Sequence, residues 1–407
     1  RNCYGTISAH CYQKWAITHF RDLRDLTHLH FIVVNFRGLI VVAVLIGGCT
    51  ATNSAPQTTT AQSGHFGPCP ETIVIHTNEM PTSDVGFLYQ LLSTDYSIDP
   101  VSQSISAPIS SNDTQLSTSR VEIRHGGQVT NFEQVPSIMH SDNSVLLGLV
   151  DTDEAIALAS SYPTQALFAP FHISPDIIYW NPDLYPTAKD IADHNSWDIR
   201  VMYADGAYFM RHLLTTEQLK PPQPVNTFDG TPIPFIASGG LFLQQGLSTV
   251  DPYAYRHIYR DWMKDIAYQY IHEAGWQPYA ISVSATPANI ARYDSCLKVL
   301  IPALQQALKD FLTDPEPAIA RIVDAARQFN TSWNYSPEQA RTAVDIILTD
   351  GLAHNGIDNI LGSFDLQRAS DFLATFRRAF PNISLNDVTA EQFVTNEFLD
   401  TTISLQQ

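Results

Sequence analysis

The sequence is short of positive charge: 23 Lys and Arg face 41 Asp and Glu, for a formal net charge of −18. So acidic a body repels phosphate, which argues against nucleic acid and against docking on anionic lipid. Cysteine is scarce, with five in 407 residues, and no two of them stand at metal-site spacing. The common catalytic signatures are missing. There is no glycine-rich phosphate loop with its lysine, no Gly-x-Ser-x-Gly elbow and no His-Glu-x-x-His. The 14 histidines do not replace them, because those in the body of the chain are scattered singly and a metal needs several convergent ligands. Neither a catalytic residue, a metal nor a cofactor is expected. There is no internal repeat.

Long apolar runs are also lacking. The unbroken stretch from Leu39 to Ile46 falls well short of the roughly 20 residues that span a bilayer. Its surroundings give it another use. Arg37 precedes it, and Gly47 and Gly48 lead to Cys49, the layout of an export signal closed by a lipidation site. The alternative is an ordinary apolar anchor with an incidental cysteine. The expected order is an upstream extension without a fold over 1–33, a signal over 34–48, and a flexible Thr/Ser/Gln/Gly/Pro-rich tether over 49–70. Lipidated Cys49 would be the only hold on the membrane, and the body would work on the outer face of the cytoplasmic membrane.

Removing residues 1–48 leaves 359, with a net charge of −21, enough for two lobes. It also leaves two thiols, Cys69 and Cys296. In an oxidising compartment these suggest one disulfide, the alternative being two free cysteines. From Glu71 the chain alternates. Strands are expected at Thr72 to Thr77, Arg120 to Arg124 and Val145 to Val150, with helices at Ser83 to Ser93, Phe132 to Met139 and Asp151 to Ala159. That order implies an α/β protein with a parallel sheet.

From Thr164 the elements shorten and aromatics crowd in. Strands are expected at Ala166 to Ala169, Ile177 to Trp180, Ile199 to Tyr203 and Pro232 to Ala237, and helices at Thr187 to Ala192, Gly206 to Leu214 and Gly239 to Gly246. Long helical patterns return after Pro278, at Cys296 to Leu312, Pro317 to Phe329, Pro337 to Thr349 and Asp365 to Ala379. The simplest architecture is two lobes, residues 71–163 with 278–407 forming one and 164–277 inserted as the other.

In such sheets, ligands sit beyond the carboxyl ends of strands, where helix N-termini offer free N–H groups. Four junctions fit: Asn78 to Ser83; Asp151 and Thr152; Asp205, Gly206 and Tyr208; and Ser248 to Tyr253, with Asp251 and Tyr253 at its end. Each could equally be plain capping.

Several strings, in this order, carry a resemblance: Leu147 to Ala155, Phe242 to Gly246 followed by Ser248 to Tyr253, Cys296 to Gln306, and Asn355 to Asp365. With the lipidation signal, the chain resembles solute-binding lipoproteins of ABC importers, in the branch that binds alkanesulfonates, taurine, nitrate and thiamine-pyrimidine precursors. That resemblance implies a two-lobed periplasmic-binding-protein (type II) fold, each lobe a mixed, mostly parallel sheet flanked by helices. It implies a monomer that closes on a small solute and presents it to a permease and its ATPase. The contacts it implies are Thr82, Ser83, Asp151, Thr152, Gly206, Tyr208, Asp251 and Tyr253. The first loop, Asn78 to Pro81, lacks the Trp common in the pyrimidine and sulfonate binders. The junctions hold Asp151, Asp205 and Asp251 where an oxyanion pocket recruits Arg or Lys, so a neutral or weakly basic ring compound on Tyr208 or Tyr253 is expected. An enzyme of the thiamine-pyrimidine synthesis type is one alternative, although Cys296 stands alone where that activity goes with a cysteine-rich motif. A surface lipoprotein that senses or adheres is another.

Overall fold

The computed structural model describes residues 68–406 apart from 111–114, 197–198, 205, 221–223, 226–227, 229 and 386. The export signal, Cys49 and the tether up to residue 67 therefore lie outside the described residues. Within them no helix is long and apolar enough to cross a membrane.

Two sheets organise the chain. The larger has seven strands, in the order β2 (Ser97–Asp99), β3 (Ser104–Pro108), β4 (Arg120–His125), β1 (Thr72–Thr77), β5 (Val145–Val150), β12 (Ser282–Ala285) and β6 (Gln165–Phe168). β1 runs parallel to both β4 and β5, as strand-helix alternation predicts. Every residue of β5 is buried, the mark of a strand covered on both faces. Gly148 in β5 has no choice of side chain, since a Cβ there would run into Val135 Cγ1 and Met139 Sδ of the helix Val135–Ser141 lying on that face. The opposite face carries Gly86–Gln90 and the long helices Pro287–Thr313, Glu316–Gln328 and Pro337–Thr349. Caps set the starts of two of these: Thr286 accepts from Asn289 N and Ser336 from Gln339 N, each with a proline next in line.

The smaller sheet runs β11 (Ala267–Tyr270), β7 (Asp176–Trp180), β10 (Leu243–Leu247), β8 (Val201–Met202), β9 (Pro224–Val225). Both sheets are mixed. Parallel pairing is confined to β4–β1–β5 and β10–β8–β9, because hairpin β2–β3–β4 and the returning strands β12 and β11 pair antiparallel. The sheets are not separate bodies: the described residues belong to one compact unit.

Two assignments move. β6, expected in the inserted lobe, pairs with β12 in the larger sheet. The helices Leu366–Ala379 and Ala390–Phe393 follow the long helices in sequence but pack through Phe372, Phe376 and Phe393 against Trp180, Phe209 and Trp276 of the second core. The chain thus crosses between the halves near residue 170, near 280, near 364 and again near 395, where Phe398 rejoins the first core.

Some local expectations change. Pro232 to Ala237, expected as a strand, holds the helix Ile233–Ala237, with prolines in its first turn. Gly239 to Gly246, expected as a helix, instead leads into β10: positive φ at Gly239 and Gly240 ends the preceding turn and frees the chain to pair with β7. Thr187 to Ala192, also expected as a helix, is irregular up to a 3-10 turn at Ala192–Ser196. The helix expected from Phe132 starts later because Asn131 and Phe132 take left-handed φ of 53° and 57°. Cys69 and Cys296 are bonded, pinning the first described segment to the long helix across 227 residues.

Candidate functional site

The expected junctions divide into those that meet and those that turn aside. Thr82 is 2% exposed, with Oγ1 lacking a partner. Ser83 faces the scaffold: its N–H donates to Tyr335 Oη at 3.2 Å and its hydroxyl to Ala340 O at 2.9 Å. Asp151 and Thr152 hold the crossing near residue 280. Ile281 N donates to Asp151 Oδ1 at 2.5 Å, while Thr152 N donates to Tyr279 O at 3.0 Å and Tyr279 N to Thr152 Oγ1 at 2.9 Å. Asp205 lies outside the described residues, and Gly206 is exposed with φ of +91° and open space around it. Tyr208 is half-buried against Phe376 and Phe380, its hydroxyl accepting from Gln134 Nε2 at 3.4 Å. The last junction turns inward. Asp251 Oδ2 accepts from Leu247 N at 2.7 Å, within electrostatic reach of Tyr179, Tyr255 and Tyr259. Tyr253 rests on His257 of its own helix at 4.7 Å between centroids.

Besides Tyr208 and Gln134, a further pair bridges the halves. Thr249 Oγ1, in the turn before the helix Asp251–His257, donates to Asp84 Oδ2 at 2.8 Å across the divide. Asp84 sits in the 3-10 turn Ser83–Val85, is 3% exposed, and has no partner for Oδ1. Five more carboxyls connect to Asp84 through a chain of electrostatic contacts: Glu79 after β1 and Asp176 at the first position of β7 act with it directly, Asp151 and Asp153 at the start of the helix Thr152–Ala157 connect through Asp176, and Glu154 connects through Asp151 and Asp153. Asp176 is the hub, acting on Glu79, Asp84, Asp151 and Asp153. Neutral donors attend three of them: Ser174 Oγ to Asp176 Oδ2 at 2.8 Å, Trp276 Nε1 to Asp153 Oδ2 at 2.9 Å, and the Gln134 amide to Glu154. None of the six is in an ion pair among the described residues.

The electrostatic result follows from burial without a counter-charge. Desolvation, joined by neighbouring carboxyls, pushes Glu79 up to about 8 and Glu154 to about 8. Asp84 rises to about 7 through desolvation, even though the Thr249 hydroxyl opposes the shift. Asp151 and Asp153 both rise, from burial first and from their carboxylate neighbours next, and Asp176 rises through burial. Near pH 7 the empty cluster therefore retains protons.

Other features lie elsewhere. A cavity of about 300 Å3 on the far side of the larger sheet is lined by Pro70, Thr72, Glu122, Arg124, Ser144 and Tyr293 among others, and by none of the residues above. Burial holds His76, His125, His172 and His272 below the usual range, to about 4, 4, 3 and 4. Among the described residues no three His, Cys, Asp or Glu side chains converge closely enough to hold a metal ion.

Glu79 and Thr249 fall inside the expected junctions Asn78 to Ser83 and Ser248 to Tyr253 without being named as contacts, Asp84 and Asp176 lie outside every expected junction, and Asp153 with Glu154 reads as ordinary helix-start charge. One signal was present. Between Arg37 and Lys189 the only cations are Arg120 and Arg124, and Arg124 is engaged with Glu122 and Asp142. All six carboxyls fall in that stretch.

No family model matches the chain, and no curated protein does. Solved structures do resemble it. A protein from Bordetella bronchiseptica RB50 superposes with a TM-score of 0.54 at 13% identity, over 81% of this chain and 96% of the other. The likeness at that identity is one of fold. The alkanesulfonate-binding protein SsuA from Xanthomonas axonopodis pv. citri, bound to MOPS, gives 0.45 at 12% identity, over 68% and 84% of the two chains. The periplasmic aliphatic sulphonate binding protein SsuA from Escherichia coli gives 0.43 at 13%, over 70% and 89%. These two superpose too loosely to carry anything further.

Proposed function

We propose that the protein is the extracytoplasmic solute-binding component of an ABC importer, which captures a small organic molecule between two α/β lobes and hands it to a membrane permease with its ATPase. The observation that carries this is the junction of the halves. Asp84 meets Thr249 across it with one carboxyl oxygen unpartnered, and five further carboxyls gather there without a counter-ion. A buried carboxyl oxygen left unsatisfied, as Asp84 Oδ1 is, weakens a fold unless something else completes it. A bound solute is that completion. The chain crosses between the halves at four places, which lets them hinge while their facing surfaces stay in register.

In this reading the lobes are residues 71–163 with most of 278–407, and the span from about 170 to 277 joined by the helices Leu366–Ala379 and Ala390–Phe393. Lipid on Cys49 holds a monomer at the outer face of the membrane, and the tether 49–70 gives it reach. Among the expected contacts, Thr82, Asp151 and Tyr208 border the acidic junction, Ser83 and Thr152 hold the backbone beside it, and Asp251 and Tyr253 turn to their own segment.

The test is a thermal-shift screen of the soluble body, residues 62–407, against amines, sulfonates, nitrate, pyrimidines, sugars and amino acids. A ligand at 100 times its Kd stabilises by about 2.7 kcal/mol, and contraction in small-angle scattering should accompany it. Turnover of the bound compound into a product would replace capture with catalysis.

A further inference from the structure

We infer that the solute is an organic cation carrying at least two separated amino or guanidino groups, recognised by the six carboxyls at the junction with Asp84 and Asp176 at their centre. This rests on the reading that the two halves enclose a solute, and it names the chemistry of that solute.

Three observations lead to it. Asp84 is 3% exposed and joins the halves through Oδ2, leaving Oδ1 without a hydrogen-bond partner. Beside it, Thr82 is 2% exposed with Oγ1 also unpartnered, so an acceptor and a hydroxyl stand ready for a donor from outside the chain. An N–H donor can satisfy both; an oxyanion can accept from the Thr82 hydroxyl but cannot complete an ionised Asp84, and would face six carboxyls with no Lys or Arg ion-paired to any of them among the described residues.

The second point is extent. No three of these groups converge on a single centre at metal-binding distance among the described residues, and their electrostatic contacts link them pairwise in series. The series runs from Glu79 through Asp84 and Asp176 to Asp151, Asp153 and Glu154, drawn from four separate segments. A compact metal ion reaches one end of such a series. A chain with nitrogen at both ends reaches both.

The third is the wall. Tyr208, half-buried, lies within electrostatic reach of Asp153 and Glu154, whereas Trp276, which donates to Asp153 Oδ2 at 2.9 Å, stands behind it in the second core. Aromatic faces beside carboxylates hold methylene chains and attract cations.

Binding such a cation has a proton signature. The groups facing Glu79 are Asp84, Asp176 and neutral His125, whose Nδ1 lies 2.7 Å from Glu79 O. Those facing Asp84 are Glu79, Thr249, Asp176 and Tyr335. Asp153, Gln134 and Tyr208 face Glu154, and Asp151 and Asp153 face each other, Asp176 and Trp276. None of these supplies a positive charge at pH 7, so the incoming cation ionises the carboxyls and protons leave.

The experiment is titration calorimetry of the soluble body with 1,4-diaminobutane, 1,5-diaminopentane, agmatine, butylamine, Ca2+, taurine and glucose, at pH 6 and pH 8 and in two buffers of different ionisation enthalpy. The diamines or agmatine should bind more tightly than butylamine, with protons released and with higher affinity at pH 8. Asp84→Asn and Asp176→Asn should each weaken binding by about tenfold to a hundredfold, the worth of one charged hydrogen bond. Each variant should still melt cooperatively, since the change removes a buried charge. Tight binding of taurine or glucose with none of the amines overturns the cation inference and leaves solute capture standing. Ca2+ binding as tightly as the diamines overturns the organic cation. Should no compound bind here and none in the wider screen, both readings fall.

Discussion

Replacing Asp84 by Asn should stabilise the empty protein above neutral pH and leave it almost unchanged in acid. In the fold, burial raises this carboxyl from 3.8 to about 7, while in the unfolded chain it titrates near the ordinary value of about 3.9. The folded state therefore binds the proton more tightly, so stability is greatest below the unfolded value. It falls as pH rises from about 4 through about 7 and is flat beyond. A gap of roughly three pH units at about 1.36 kcal/mol each gives a penalty of about 4 kcal/mol at pH 8, an upper bound because water entry and side-chain relaxation reduce it. Asn has nearly the same shape, and its amide oxygen can still accept from Thr249 Oγ1 as Asp84 Oδ2 does. Urea unfolding of both proteins at pH 4.5, 6, 7 and 8 measures the difference. The advantage of the variant should be small at pH 4.5 and grow to a few kcal/mol at pH 8. A variant less stable than the parent at pH 8, or a gap that does not change with pH, would show that Asp84 is compensated by a charge and would remove the central support for an unpaired acidic junction.

Other perturbations test the frame. Reducing Cys69–Cys296, or replacing both by Ser, opens a link spanning 227 residues, for which the chain-entropy treatment gives about 5 kcal/mol at most; the melting point should fall, and an unchanged one would mean the bond does not form in solution. Gly148→Val should cost about 1–3 kcal/mol or more through overpacking, because its side chain would occupy space held by Met139 and Val135, and denaturant midpoints read it directly. Phe376→Ala should cost about 3–5 kcal/mol, since its ring lies against Trp276 and Phe380 in the second core. Because that helix seals the smaller sheet, amide exchange should rise there and not in β1 or β5.

What could be read from the sequence follows how local the cause is. The helix Pro337–Thr349 was legible to the residue because Ser336 caps it and Pro337 opens it. β1 and β5 were legible as apolar runs whose parallel pairing follows from the helices between them. The C-terminal helices were legible as helices only. The apolar face of Leu366–Ala379 requires burial, but nothing in its period says against which sheet, and Phe372 and Phe376 chose the second core. The junction residues were harder still. A helix-start acid such as Asp251 can turn outward to a ligand or back to a neighbouring N–H, and Leu247 N decides it. Glu79, Asp84, Asp153 and Asp176 become one site only after the two halves are brought together.

The same point bears on whether the acidic junction is an accident of folding. Isolated carboxyls at helix starts are cheap when water reaches them, and Asp153 or Glu154 alone would call for no special account. Burial changes this. Asp84, almost fully enclosed, and Asp153, 8% exposed, carry charge into a region where an uncompensated ion costs several kcal/mol. Asn or Gln would fill the same space without that penalty. A chain with only Arg120 and Arg124 between residues 38 and 188 has not placed cations there to neutralise its acids. The counter-charge must then be protons, which leave above neutral pH, or a cation brought from solution. These alternatives separate in a single measurement. If protons suffice, raising the pH of the ligand-free protein from 6 to 9 lowers its melting point and a diamine does not restore it. If a solute completes the junction, the diamine restores the loss, and restores more at pH 9 than at pH 6, because more of the carboxyls are then ionised to receive it while the amines, with pKa values of roughly 10, remain charged.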